Sequence, residues 1–236
     1  MKNFILRGAA LLLISFVTFA GQAQTVDEVI NSHVNAIGGA EKWKQINSVK
    51  IEGHIEVQGV EITFTQQAIH NVGFRVDAEF QGMQIINIST PTKGWMQNPF
   101  GGQTDLQEIP AEQHKLTLDQ LDLQNTFVGW KEKGNTAELL GKVKEGSKEV
   151  YKLKMTTKAG KATTYYLDAT TYLMIKSEVT SNVMGEEMTM TTEIFEYKEL
   201  PLGIKVPFKT EQMGQTFVID KYEVNATVDP KIFQVG

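Results

Sequence analysis

The sequence predicts an α+β domain that is mainly β: a curved antiparallel sheet of about eleven strands, with helical segments at the start and in the middle. Three observations predict it. From Val49 to Thr65, apolar residues alternate with polar ones through a turn at Gln58-Gly59. Phe74, Val76, Ala78 and Phe80 then alternate with Arg75, Asp77 and Glu79. After Gly134, seven further runs of strand character, separated by turn residues, fill the chain to Val224. A period of two means strands with one apolar and one wet face.

The chain begins with a segment that reads as an export signal. Lys2 and Arg7 precede an apolar run from Ala9 to Ala20, and Gly21-x-Ala23 is a small-x-small cleavage site. The run is about twelve residues, short of the ~20 needed to span a bilayer. Cleavage after Ala23 leaves residues 24–236, read as a single half-barrel domain, and moves the net charge from −5 to −7. Without cysteine the chain has neither a lipidation site nor disulfides. The expected product is soluble, periplasmic and monomeric. An acidic protein of this kind is a poor partner for nucleic acid.

The elements follow in order. Val26 to Lys44 reads as an opening helix carrying Val29, Val34 and Ile37, broken or bent at Gly38-Gly39. In the hairpin that follows, a two-residue turn places Val57 opposite Val60, Ile55 opposite Ile62, and Gly53 opposite Phe64. That register gathers every apolar side chain on one face. The third strand turns at Gln81-Gly82 into Met83 to Ile88, and a second turn leads to Trp95-Met96. Pro99-Phe100-Gly101-Gly102 reads as a loop. Pro110 suits the first turn of a central helix, and Leu116 to Leu123 is a short apolar-periodic stretch. The later strands are expected at 137–142, 148–156, 163–168, 173–180, 187–197, 205–212 and 215–224. No Pro/Ser-rich linker or low-complexity stretch divides the chain.

No residue constellation announces catalysis. There is no His-Glu-x-x-His, no Gly-x-Ser-x-Gly and no phosphate-cradling glycine loop. The four histidines, at 33, 54, 70 and 114, do not converge, and His54 faces outward opposite Thr63. Met184, Met188 and Met190 are close enough to suggest soft-metal ligation. Met188 and Met190 nevertheless share a strand face, where thioethers suit an adaptable apolar wall. Lys142, Lys144, Lys148, Lys152, Lys154, Lys158 and Lys161 form a basic stretch that reads as a solvated sheet face, with anionic membrane or acidic partners as the alternative. The expectation is a non-enzymatic protein with no cofactor and no metal.

Several stretches resemble a known family. These are Phe74-Arg75-Val76-Asp77, Thr92-Lys93-Gly94-Trp95-Met96-Gln97-Asn98-Pro99-Phe100, Tyr166-Leu167-Asp168-Ala169-Thr170-Thr171-Tyr172-Leu173 and Val228-Asp229-Pro230-Lys231-Ile232-Phe233. With the order of elements, they resemble the Lol-type periplasmic outer-membrane lipoprotein carriers and the broader outer membrane lipoprotein-sorting group. Where the best-known carriers have a basic residue and proline before the third strand, this chain has His70-Asn71-Val72-Gly73. The resemblance implies an unclosed β-barrel, helices in its concave face, and an apolar cavity for lipid or lipoprotein acyl chains. An envelope protein partner and transient membrane contact are further expectations.

On that reading the apolar lining comprises Ile55, Val57, Ile62, Phe64, Phe74, Val76, Phe80, Trp95, Leu118 and Leu121. Residues 111–125 would form a lid, with Gly101 and Gly102 as its hinge. The alternative is an envelope interaction module whose apolar face is an ordinary dry core closed by Leu116, Leu118, Leu121 and Leu123.

Overall fold

A computed structural model describes residues 24–183 and 186–235. The expected export signal and the turn at Met184-Gly185 lie outside the described residues.

The chain opens with α1 (Val26–Ala36), started by a capping box in which Thr25 and Glu28 satisfy each other's backbone N–H. Gly38 and Gly39 take φ of 114° and 90° and break the opening helix at the expected place, leaving α2 at Ala40–Trp43. Gly38 also has no room for a side chain: a Cβ there would lie 2.4 Å from the Gly203 carbonyl oxygen.

Among the described residues thirteen strands follow, two more than expected. They are β1 (Ser48–Val57), β2 (Val60–Ile69), β3 (Gly73–Phe80), β4 (Met83–Ser89), β5 (Gly94–Asn98), β6 (Gln103–Glu108), β7 (Thr136–Glu145), β8 (Lys148–Thr156), β9 (Ala162–Asp168), β10 (Met174–Val183), β11 (Glu186–Glu199), β12 (Lys205–Gln212) and β13 (Gln215–Val224). The additional strands are β5 and β6, which pair across Pro99–Gly101. Asn98 makes that turn by accepting from the Gly101 N–H, and Gly102 completes it at φ 84°. β6 reads Gln-Thr-Asp-Leu-Gln-Glu, an edge strand with too little apolar alternation to be seen from sequence. Between β6 and β7 lie a short α3 (Ala111–Lys115) and a 3₁₀ turn at Leu118–Leu121.

All the strands form one antiparallel sheet in the order β6-β5-β4-β3-β2-β1-β13-β12-β11-β10-β9-β8-β7. β1 pairs with β13 and joins the two meanders; β6 and β7 remain as edges, so the barrel is unclosed. Residues far apart in that order, such as Ile51 on β1 and Leu153 and Met155 on β8, meet in one buried cluster. Only a sheet curled about that face brings them together, so it is the concave one. α1, α2 and the 121–128 segment pack there. Ile30, Ile37, Ile46, Phe127, Leu153 and Ile204 are at most 2% exposed. Burial pushes the Tyr165 and Tyr222 hydroxyls up to about 12.

A smaller cluster lies on the other face. Ile86, Ile88 and Phe233 are buried there with Ile69, Trp95, Leu106, Val228 and Ile232. The C-terminal 3₁₀ turn Pro230–Phe233 covers it, and Gly73 makes room: a Cβ there would meet the Phe233 ring at 2.3 Å. Arg75 lies on this convex face, donating to the Ile232 carbonyl at 3.0 Å and gripping Asp77.

Candidate functional site

The helices cover only part of the concave face. Beyond them, the ends of β1, β2, β3, β4 and β13 frame an open groove of about 560 Å³. This lies inside the range of ligand pockets, roughly 300–1,000 Å³. Ile55, Val57, Ile62, Phe64, Val76, Ala78, Phe80, Ile85, Phe100 and Phe217 supply its apolar wall, with Gln66, Asn98 and Gln215 as its polar members. Among the described residues no charged side chain lines it.

Strand register explains the assembly. Ile55 pairs with Ile62 and with Phe217, Gly53 with Phe64, and Phe64 with Ala78. Each pairing carries the apolar parity across to the next strand. Gly53 leaves the space that the Phe64 ring fills: a Cβ there would stand 2.8 Å from the Phe64 ring and 2.3 Å from the Val218 carbonyl oxygen. Phe64 and Val76 also touch the closed core, so they mark its boundary with the groove. The Phe80 and Phe100 rings meet near the groove's outer end, tilted at 45° with centroids 5.6 Å apart. Such a site offers apolar surface and amide groups, with no nucleophile, acid or base.

Six of the ten residues expected to line a cavity meet here: Ile55, Val57, Ile62, Phe64, Val76 and Phe80. Four do not. Phe74 and Leu121 are 8% and 4% exposed and belong to the closed core. Leu118 packs on that core and borders a different groove of about 610 Å³, beside Lys115, Lys133, Lys158 and Lys161. There Asp122 and Asp119 pair with Lys133 and Lys161. Trp95 is on the wrong face: it pairs with Ile88 and packs in the convex cluster. Its neighbour Met96 has the concave parity, because it pairs with Asn87. The central segment does not overlie the groove, and its Leu121 carbonyl is tied to the Asn71 N–H. Sequence reasoning missed Ala78, Ile85, Phe100, Phe217 and the three amides. Ala78 and Phe217 carry the alternation signal. Phe100 sits in a turn and carries none.

The remaining candidates fall elsewhere. His54 donates from Nδ1 to the Asp220 carboxylate at 2.9 Å, which raises its pKa, and lies 3.7 Å from Glu56 on the convex face. With Glu61, these two bring ligand atoms within 4.8 Å of one another, but both carboxylates are exposed. His114 and Ser89 are buried together, and the imidazole is held by the Thr90 carbonyl at 3.0 Å. Several of the lysines are paired: Lys142 with Glu149, Lys148 with Asp168, Lys161 with Asp119. Met188 is 47% exposed, and Met188 and Met190 share a face through their pairs Ser181 and Val179. Met184 is outside the described residues. No helix among the described residues is long and apolar enough to cross a membrane.

No protein-family model matches the chain, and no curated protein matches it in sequence. Solved structures do match. A LolA superfamily protein from Nitrosomonas europaea superposes with a TM-score of 0.57 at 13% identity, covering 90% of this chain and 99% of its own. A DUF1329 family protein from Desulfovibrio piger gives 0.56 at 12%, covering 87% and 95%. A protein described as an outer membrane lipoprotein-sorting domain, from Vibrio parahaemolyticus, gives 0.54 at 11%, covering 88% and 95%. The chain therefore has the open half-barrel fold of LolA-like proteins, as its sequence motifs led one to expect.

Proposed function

We propose that this protein is a periplasmic carrier that binds lipid or lipoprotein acyl chains in the groove between β1–β4 and β13. The observation that carries the reading is an uncovered, uncharged apolar groove continuous with a well-packed core. A concave site walled by aliphatic and aromatic side chains, with a few amides among them, is the kind of pocket that takes an apolar ligand. Each buried methylene contributes ~0.8 kcal/mol, so a dozen give a gross ~10 kcal/mol without any specific polar contact. The fold shared with LolA-like proteins, the export signal expected from the sequence and the apolar, amide-bearing lining of the groove support a non-enzymatic carrier. The chain acts as a soluble monomer that exchanges its cargo with an envelope partner.

The test is native mass spectrometry of gently purified protein, combined with uptake of a fluorescent fatty-acyl probe. Co-purifying lipid and micromolar or tighter uptake are expected. Phe64→Asp places a carboxylate on the groove wall and should weaken uptake by tenfold or more, with a lower melting temperature. Clean apo-protein that takes up no probe would favour the interaction module instead.

A further inference from the structure

Four adjacent hairpins end at one rim of the sheet. In sheet order they are the turns after β12, β1, β3 and β5, and they frame the mouth of the groove. Their sequences are Gln212-Met213-Gly214-Gln215, Val57-Gln58-Gly59-Val60, Phe80-Gln81-Gly82-Met83 and Asn98-Pro99-Phe100-Gly101-Gly102-Gln103. These eighteen residues include no Asp, Glu, Lys, Arg or His. A chain that is 22% charged would place roughly four charges there. Other turns follow that expectation: Glu145-Gly146-Ser147-Lys148, on the opposite rim of the sheet, and Thr157-Lys158-Ala159-Gly160-Lys161, farther along the same rim, each carry two.

Each uncharged turn instead presents a large apolar side chain to solvent. Met213 is 74% exposed, Phe100 53%, Val60 40% and Met83 36%. The backbone fixes this arrangement. Gln58-Gly59, Gln81-Gly82 and Met213-Gly214 all have positive φ at both positions, the tight two-residue turns that match strand twist. The flanking side chains are thus held at the very end of the sheet.

We propose that this rim docks the protein on a zwitterionic lipid bilayer, so that an acyl chain passes between the membrane and the groove. The inference rests on the acyl-carrier reading of that groove. Hairpins two strands apart stand roughly 10 Å from one another, so the tips make a row of separate points. A stable protein partner needs a contiguous, complementary patch of about 800 Å² per side. The headgroup–acyl boundary has no such requirement; it takes isolated apolar side chains among uncharged polar neighbours. Glu56, Glu61, Glu79 and Glu211 come directly behind the tips, at positions with convex parity. They limit insertion to the turns and disfavour an anionic surface.

Because the chain has no cysteine, Met213→Cys gives a single thiol for an environment-sensitive nitrobenzoxadiazole label. Ser147→Cys labels a charged turn as the control. With phosphatidylcholine vesicles the label at 213 should shift to the blue and brighten several-fold, and the label at 147 should not. Enriching the vesicles in phosphatidylglycerol should weaken the response. In unlabelled protein, Val60→Glu with Met213→Glu should reduce co-flotation with phosphatidylcholine vesicles by about tenfold or more. Neither residue lines the groove, so uptake of the acyl probe from water should persist in that double variant. Phe64→Asp should do the reverse, losing uptake and keeping flotation. If wild type floats but takes up no probe, the carrier reading falls and docking stands. An unresponsive label at 213, equal responses at both sites, or unchanged flotation of the double variant would overturn docking. So would a dimer in sedimentation velocity that the double variant abolishes, because a second copy would then occupy the rim.

Discussion

Along β1, Val49 and Ile51 are 1% and 6% exposed under the opening helices, while Ile55 and Val57, on the same face of the same strand, remain half-buried. The same contrast runs across the sheet. On β12, Val206 and Phe208 are buried; on the neighbouring β13, Phe217 opens into the groove. Sequence alternation assigns a residue to the concave face, but it does not say whether that face is dry. The reach of the covering segments decides. α1 and α2 span only 11 and 4 residues; the Trp43 indole ties them together at the Ile37 carbonyl, and the Lys205 N–H anchors that carbonyl to one end of β12. What they do not reach stays open.

The sharpest test of the contrast is one truncation in each half. Leu153 is fully buried in the closed half. Leu153→Ala should cost about 3 kcal/mol, from lost burial and the cavity left behind. Ile55→Ala, at the half-open groove wall, should cost about 1 kcal/mol or less and act mainly on probe affinity. Urea unfolding and probe titration of both variants measure this. Equal stability losses would mean that the groove is as well packed as the core.

A pH titration gives a second contrast of similar size, because the closed half contains a titratable group and the groove none. His33 is 1% exposed, packs edge-on against Phe127, and has Nδ1 2.7 Å from the Tyr172 carbonyl oxygen, to which it donates. Burial lowers its pKa to about 4 from the usual 6.5. The unfolded chain therefore binds the proton more readily than the folded one. The His33 contribution should be nil above pH 6.5 and grow to a loss of about 3 kcal/mol as pH drops from 6.5 to 4. Chemical denaturation across that window checks it, and His33→Gln should flatten the profile whatever its absolute stability. Uptake of the probe by still-folded protein should stay constant over the upper part of the window, since no titrating group lines the groove.

How far the sequence revealed these features depends on the range of the contacts involved. The β1–β2 register was legible to the residue, with Ile55 on Ile62 and Gly53 on Phe64, because a two-residue turn and an unbroken alternation fix it locally. β4 was legible as a strand but not by face. Its Ile85 lines the groove while Ile86 and Ile88 are buried on the convex side, so it is apolar in both directions and shows no period. Trp95 inherited that ambiguity: two residues after a glycine define no face, and only its pairing with Ile88 does. Phe217 entered the groove through the β1–β13 pairing, between strands more than 150 residues apart, which no local pattern encodes. The extent of helical cover was likewise invisible, and with it the place of Phe74 and Leu121 in the core.

The finest contrast is dynamic, and it separates a groove from a lidded cavity. The central segment 111–125 was expected to lie over the lining. In the structure it packs against the closed half, with Leu121 buried and Leu118 and Leu123 beside it. Local opening is easiest where few buried contacts hold the backbone. Amides near residues 56–61 and 80–83 should therefore exchange faster than those of residues 49–51. An acyl ligand in the groove adds contacts only at those outer ends, so exchange there should slow a few-fold while the central segment stays unchanged. Hydrogen-exchange mass spectrometry with and without a fatty-acyl ligand reads both regions in one experiment. Protection of 116–125 on ligand addition, with no change at the hairpin ends, would place the ligand beneath the central segment and make the closed half the site.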